Sequence, residues 1–179
     1  IYIEKYSSNK DIYDEYSEER SLYIGALEAL GVIYENGNGV QRDSAKAREY
    51  FHLLGQETSD YRNIGDIYEY GFKEVKQDHF KAMEYYELAV KNDESEALFE
   101  LGKLYENGKG GKQDSKKAQE LFEKYGYATN SFDRIGKLYD EGVEVKHDYF
   151  LAKKYYELAI KLDHSKCLWE LGKLYENGK

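Results

Sequence analysis

Apolar residues recur along this chain at helical spacing, and the pattern itself repeats. The phrase Leu30-Gly31-Val32-Ile33-Tyr34-Glu35-Asn36-Gly37 returns from Ile64 to Gly71, Leu101 to Gly108, Ile135 to Gly142 and Leu171 to Gly178. Its first glycines are 34, 37, 34 and 36 residues apart. Counted from that glycine, position -4 holds Leu27, Tyr61, Leu98, Phe132 and Leu168, and position -1 holds Leu or Ile. Position +2 holds Ile33, Ile67, Leu104, Leu138 and Leu174, and +3 is always tyrosine. That spacing makes one apolar stripe on a helix. Glycine inside a helix costs about 1 kcal/mol relative to alanine, so five at one phase call for close approach by a neighbouring helix. The phrase-ending glycines (Gly37, Gly71, Gly108, Gly142, Gly178) fit the left-handed residue that stops a helix.

A second phrase follows each of the first four. It reads Asp43, Ala47, Tyr50, Phe51; Asp78, Ala82, Tyr85, Tyr86; Asp114, Ala118, Leu121, Phe122; and Asp148, Ala152, Tyr155, Tyr156. Steps of four, three and one keep the alanine and the bulky pair on one helix face, with the aspartate as N-cap. Each unit is thus a two-helix hairpin of about 36 residues. One hairpin cannot bury both its faces, so neighbours must stack, and the fold is predicted to be an all-α solenoid. Composition agrees. Average usage would give roughly nine prolines here, and the chain has none, leaving 16 glycines to punctuate the helices.

These phrases resemble the Sel-1-like repeat, a relative of the tetratricopeptide repeat. Ala97-Leu98-Phe99-Glu100-Leu101-Gly102-Lys103-Leu104-Tyr105-Glu106-Asn107-Gly108 and Asp78-His79-Phe80-Lys81-Ala82-Met83-Glu84-Tyr85-Tyr86-Glu87-Leu88-Ala89 carry the likeness most fully. The resemblance implies a right-handed superhelix of antiparallel helix pairs, used to scaffold protein complexes. Some bacterial members tie each repeat with a disulfide, and the single Cys167 excludes that subgroup. Departures are local. Asp60 and Ser131 stand where Ala26 and Ala97 open other copies, which delays the first helix of units two and four; Lys73 and Glu144 replace the loop glycines Gly39 and Gly110.

The chain reads as one repeat domain over residues 1–179, with repeats at about 21–57, 58–92, 93–127, 128–162 and an incomplete 163–179. Residues 1–6 resemble the end of a second helix (Tyr2 to Tyr6 against Leu121 to Tyr125), and 7–20 are expected to be an inserted or irregular segment. Units match best at two-repeat distance: Glu100 to Lys109 is identical to Glu170 to Lys179. A fragment of a longer protein, with more chain beyond Lys179, is the expectation.

Charge and chemistry narrow the function. A net charge of -9 argues against nucleic acid or anionic membranes as partners, and no apolar run approaches the ~20 residues of a membrane span. The four histidines fall at unlike repeat positions, so they read as surface residues. Cys167 occupies an alanine position and reads as a small buried residue. Gly108-Lys109-Gly110-Gly111-Lys112 lacks the spacing and closing Ser or Thr of a phosphate loop. No cofactor, metal or small-molecule substrate is expected, and no enzymatic activity. The absence of paired cysteines leans towards a cytoplasmic setting.

Positions -3, +1 and +4 lie opposite the apolar stripe, on the side that the resemblance makes concave. They are charged except at Val32 and at the two rings Phe99 and Trp169, which stand two repeats apart. Phe99, Lys103, Glu106, Trp169, Lys173, Arg62 and Asp66 are therefore the candidate partner-binding residues, with the two rings as anchors in a polar surround. The acid excess favours a protein or peptide that sets Lys or Arg beside an apolar residue. The reading is a non-catalytic adaptor. A substrate-recruiting array attached to a catalytic domain outside these residues is the alternative, and a carbohydrate binder using exposed tyrosines ranks last.

Overall fold

The computed structural model describes residues 10–176, with side chains from Ser17 onward. Among these residues there are nine α-helices, one 3-10 turn and no strand. The chain divides into two compact units, Ile1–Gln77 and Asp78–Lys179. The first holds α1 (Lys10–Asn36), α2 (Ser44–Thr58), α3 (Tyr61–Tyr70) and the 3-10 turn Phe72–Glu74; the second holds α4 (His79–Lys91), α5 (Glu96–Asn107), α6 (Ser115–Thr129), α7 (Phe132–Glu141), α8 (Tyr149–Lys161) and α9 (Cys167–Glu176).

The helix punctuation follows the two phrases. Asp43, Asp78, Asp114 and Asp148 each cap a second helix, their carboxylates accepting from N–H groups of its first turn. Those groups have no partner inside the helix, so the cap satisfies donors that burial would otherwise orphan. Gly37, Gly71, Gly108 and Gly142 all take positive φ where a first helix ends. The fifth phrase-ending glycine, Gly178, lies outside the described residues, as do residues 1–6.

The helix starts hold one departure from the sequence reading and one agreement with it. Residues 10–20, expected to be inserted or irregular, form the opening turns of the 27-residue α1. With no proline or glycine between Lys10 and Arg20, nothing in the backbone stops the helix. The late starts foreseen for α3 and α7 are present: Ser59 and Asn130 turn left-handed at the ends of α2 and α6, and α3 and α7 begin two residues later.

Close approach explains three of the first-phrase glycines. A methyl group at Gly31, Gly102 or Gly136 would lie 2.7, 2.6 and 2.5 Å from the rings of Phe51, Phe122 and Tyr156. Each ring comes from the paired second helix, and all three are buried. The longer second helices α2 and α6 carry a further glycine, Gly55 and Gly126, pressed by the ring of Tyr61 or Phe132 at the head of the next helix.

The same two-repeat block therefore builds both units. In the first, Phe51 meets Tyr68 edge-on at 5.7 Å, and the Tyr68 hydroxyl donates to Glu35 Oε2 at 3.1 Å. In the second, Phe122 meets Tyr139 edge-on at 5.9 Å, and the Tyr139 hydroxyl donates to Glu106 Oε2 at 3.3 Å. Edge-to-face pairs add about 0.5–1.5 kcal/mol beyond their buried area. A charged acceptor makes the seam hydrogen bond stronger than a neutral one would be.

Candidate partner-binding surface

The predicted surface divides according to its neighbours. Arg62 and Asp66 pair with each other on α3 at 2.7 Å, a half-buried i,i+4 bridge. Trp169 stands 72% exposed on α9, and Lys173, one turn on, is exposed and paired with Glu170. Phe99, Lys103 and Glu106 are different. Phe99 is only 4% exposed, wedged against Phe122 and Tyr125 at 5.6 and 5.1 Å and covered by the Arg134 guanidinium 4.1 Å from its ring centre.

Phe99 is accordingly not an open anchor. Arg134 is held over it by Glu96 Oε2 at 2.6 Å and by the Tyr125 hydroxyl at 2.8 Å. Lys103, 5% exposed, bridges Glu100 and Glu144, each at 2.6 Å. Glu106 accepts from Ser115 Oγ and the Tyr139 hydroxyl. These positions face the following first helix and its loop rather than solvent. Helical phase shows that three residues share a face; it does not show how many neighbours that face meets.

An open groove lies beside these buried positions in the second unit. About 470 Å³ is lined by Asp133, Lys137, Asp140 and Glu141 of α7, Tyr156 of α8, Lys166, and Cys167, Glu170 and Lys173 of α9. Three elements shape it. Asp133, Lys137 and Asp140 are the -3, +1 and +4 positions of α7, so the sequence stripe is open here. Tyr156 donates to Asp140 Oδ2 at 3.3 Å, and burial followed by that carboxylate pushes its phenol pKa up, so it stays a donor. Cys167 is 3% exposed, and burial raises its thiol pKa, followed by Asp133 and Glu170. It is therefore a neutral, inert thiol at physiological pH.

Charge is unevenly answered along the groove. Lys137 pairs with Glu141 at 3.5 Å and Lys173 with Glu170. Asp133 has His164 Nδ1 at 3.6 Å, and Asp140 has the neutral Tyr156 hydroxyl. Lys166 adds a third lysine to the lining, against the four carboxylates of Asp133, Asp140, Glu141 and Glu170, so the groove keeps a net negative charge that favours an incoming cation. Phase alone missed Lys166, Glu170 and Tyr156, because they reach the groove from other helices and a loop. It also missed Phe80 and Phe150, 69% and 78% exposed. Their sequence signal is their place two residues after a capping aspartate, where a second helix turns outward. Among the described residues no group of His, Cys, Asp and Glu could hold a metal ion, and no helix is long and apolar enough to cross a membrane.

Comparison with known proteins converges on one family. The family model described as Sel1 repeat matches residues 24–56, 60–94, 95–124, 134–164 and 165–179. Among curated proteins, the chain is 32% identical to the Arabidopsis thaliana ERAD-associated E3 ubiquitin-protein ligase component HRD3B, over 58% of this chain and 16% of that protein. It is 26% identical to chitin synthase regulatory factor 2 of Schizosaccharomyces pombe, over 96% of this chain and 36% of that protein. The chain thus spans well under half the length of either relative. A solved protein from uropathogenic Escherichia coli, the protective antigen c5321 with an SLR fold, aligns with TM-score 0.55 and 25% identity over 96% of this chain and 37% of its own. The Sel1 repeat protein of Oxalobacter formigenes aligns with TM-score 0.51 and 24% identity over 87% of this chain and 65% of its own.

Proposed function

Since the chain belongs to the Sel1 repeat family, we propose that it is a non-catalytic interaction scaffold that holds a partner protein through the groove of its second unit. The observation that carries this is the groove's charge pattern: Asp133 and Asp140 line it with no lysine or arginine paired to them among the described residues, while Trp169 stands exposed on the adjoining helix. A partner segment with Lys or Arg beside an apolar side chain fits both features. Its cation would lie between the aspartates, and its apolar group would cover the indole, as in interfaces where a few aromatic contacts dominate. Names of the curated relatives, a ligase component and a synthase regulatory factor, support a role beside enzymes rather than as one.

The test is titration calorimetry of the 179-residue chain with short peptides that place Lys or Arg next to Leu or Phe. Binding should weaken about 5- to 150-fold in Trp169→Ala and in Asp133→Asn/Asp140→Asn, following the ~1–3 kcal/mol typical of such anchors. Salt should weaken it in the wild type and less in the double asparagine variant. Peptides that bind all three proteins equally, or that bind only at other residues, sink the proposal.

A further inference from the structure

Phe80 and Phe150 hold the same place in the repeat, two residues after the capping aspartates Asp78 and Asp148, and they stand 69% and 78% exposed. The second helix between them puts Lys116 at that place, also exposed. The exposure belongs to the position and not to a missing neighbour. The loop of the following repeat already lies on the first turn of α4, where a methyl group at Gly110 would come 2.6 Å from the His79 carbonyl and 2.7 Å from Met83 Sδ, and Phe80 is open all the same.

In this unit α4, α6 and α8 begin along one edge. Gly110 sets the loop before α6 against α4, and Asn107 Nδ2 donates to the Glu144 carbonyl at 2.7 Å, which ties the end of α5 to the loop before α8. Asp114 N and Asp148 N close the two loops alike, on the Tyr105 and Tyr139 carbonyls at 2.9 and 3.1 Å. The edge therefore carries an aromatic–lysine–aromatic row, and Lys112, Lys117 and Lys146 add to it. These three and Lys116 are exposed, and none of the four forms an ion pair among the described residues. The carboxylates of the edge are engaged. Asp78 accepts from the Phe80 and Lys81 N–H groups, Asp114 from Lys117 and Asp148 from Leu151, while Glu144 bridges to Lys103. Glu84 and Glu120 sit a turn further along their helices. In a chain of net charge -9 this edge is locally cationic and apolar at once.

We infer that the Phe80–Lys116–Phe150 edge is a docking site for an acidic protein segment in which apolar side chains flank a run of Asp or Glu. The apolar groups cover the two rings, and the carboxylates between them meet the lysines that have no partner in the chain. A short segment meets the local charge, whereas an anionic bilayer would meet the whole acidic chain. The chemistry is the reverse of that drawn by the Asp133–Asp140 groove, so either site can fail without the other.

The test is titration calorimetry of the 179-residue chain with peptides in which a run of glutamates of varied length separates two phenylalanines. The same peptides with lysine in place of glutamate are the control and should not bind this edge. The glutamate peptides should bind, and less tightly as salt rises. Phe80→Ala/Phe150→Ala should weaken them at least about fivefold and Lys116→Glu about tenfold. Melting temperatures should stay unchanged in these variants, because all three side chains are exposed. Asp133→Asn/Asp140→Asn should leave the affinity as it is. No binding at any spacer length, or binding indifferent to Phe80, Phe150 and Lys116, overturns the inference. So does adsorption to phosphatidylserine vesicles that is lost in Phe80→Ala/Phe150→Ala, which would make the edge a membrane surface.

Discussion

Gly102→Ala tests whether the repeated glycines are sockets. Alanine in a helix interior is favoured over glycine by about 1 kcal/mol. Against this, the new methyl would sit 2.6, 2.9 and 3.0 Å from Phe122 Cε1, Cδ1 and Cζ, where carbon atoms rest at roughly 3.5–4.0 Å. The ring has to retreat by about 1 Å, and it is clamped. Phe122 is fully buried, with Phe99 at 5.6 Å on one side and Tyr139 at 5.9 Å on the other. Overpacking of this kind costs roughly 1–3 kcal/mol, so a net loss of about 1 kcal/mol remains, or a fall in melting temperature of about 2–4 °C for a chain of this size. Gly172→Ala is the internal control. It has the same flanking sequence from Glu170 onward but an empty surround, and it should gain up to about 1 kcal/mol. Urea unfolding and exchange on α5, α6 and α9 would read both. The socket argument is refuted if Gly102→Ala is as stable as the wild type or more so.

Three further outcomes follow from the geometry. Tyr155 buries a hydroxyl with no hydrogen-bond partner among the described residues, so Tyr155→Phe should stabilise by up to about 1 kcal/mol, while Tyr139→Phe should cost about 1–2 kcal/mol by leaving Glu106 short of a donor; chemical denaturation of the pair gives opposite signs. Asp114→Ala removes the acceptor for Lys117 N–H at 2.9 Å and should lower stability by about 1 kcal/mol, with Asp114→Asn restoring most of it. His79 has its pKa lowered by burial and then by Lys109, so its folded value lies below the unfolded 6.5. The unfolded chain then binds the extra proton first, and this contribution, present above 6.5, is lost as pH falls through that window. Melting curves at pH 7.5 and 5.5 should draw together in His79→Gln.

The repeat, the caps and the ring sockets were legible in the sequence because each rests on contacts within one hairpin. Asp43, Asp78, Asp114 and Asp148 cap donors three residues away or nearer, and Gly102 meets a ring 20 residues on. The exposure of the candidate positions was legible only where nothing stacks on them. Phe99 and Trp169 share a phase, and one is buried while the other is bare, because Arg134 and Glu144 come from the following repeat and cover the Phe99–Lys103 side of α5. No periodicity in a helix encodes whether its neighbour is present. Lys166 and Glu170 joined the groove for the same reason: their place depends on how α9 lies against α7 and α8. Residues 10–20 are helical where an inserted or irregular segment was expected, because polarity marks exposure and not irregularity.

The short corners at Ser59–Asp60 and Asn130–Ser131 have a consequence for how a protease would see the chain. Two residues held in a tight turn cannot stretch into the extended strand that a protease cleft needs, whereas the seven-residue spans 37–43, 108–114 and 142–148 can. Nicking there would therefore leave α2 joined to α3, on the piece that runs on to α5, and would release α6 still joined to α7. The fragments would be offset by half a period from the units written in the sequence, and the piece that survives digestion is not the piece that was duplicated.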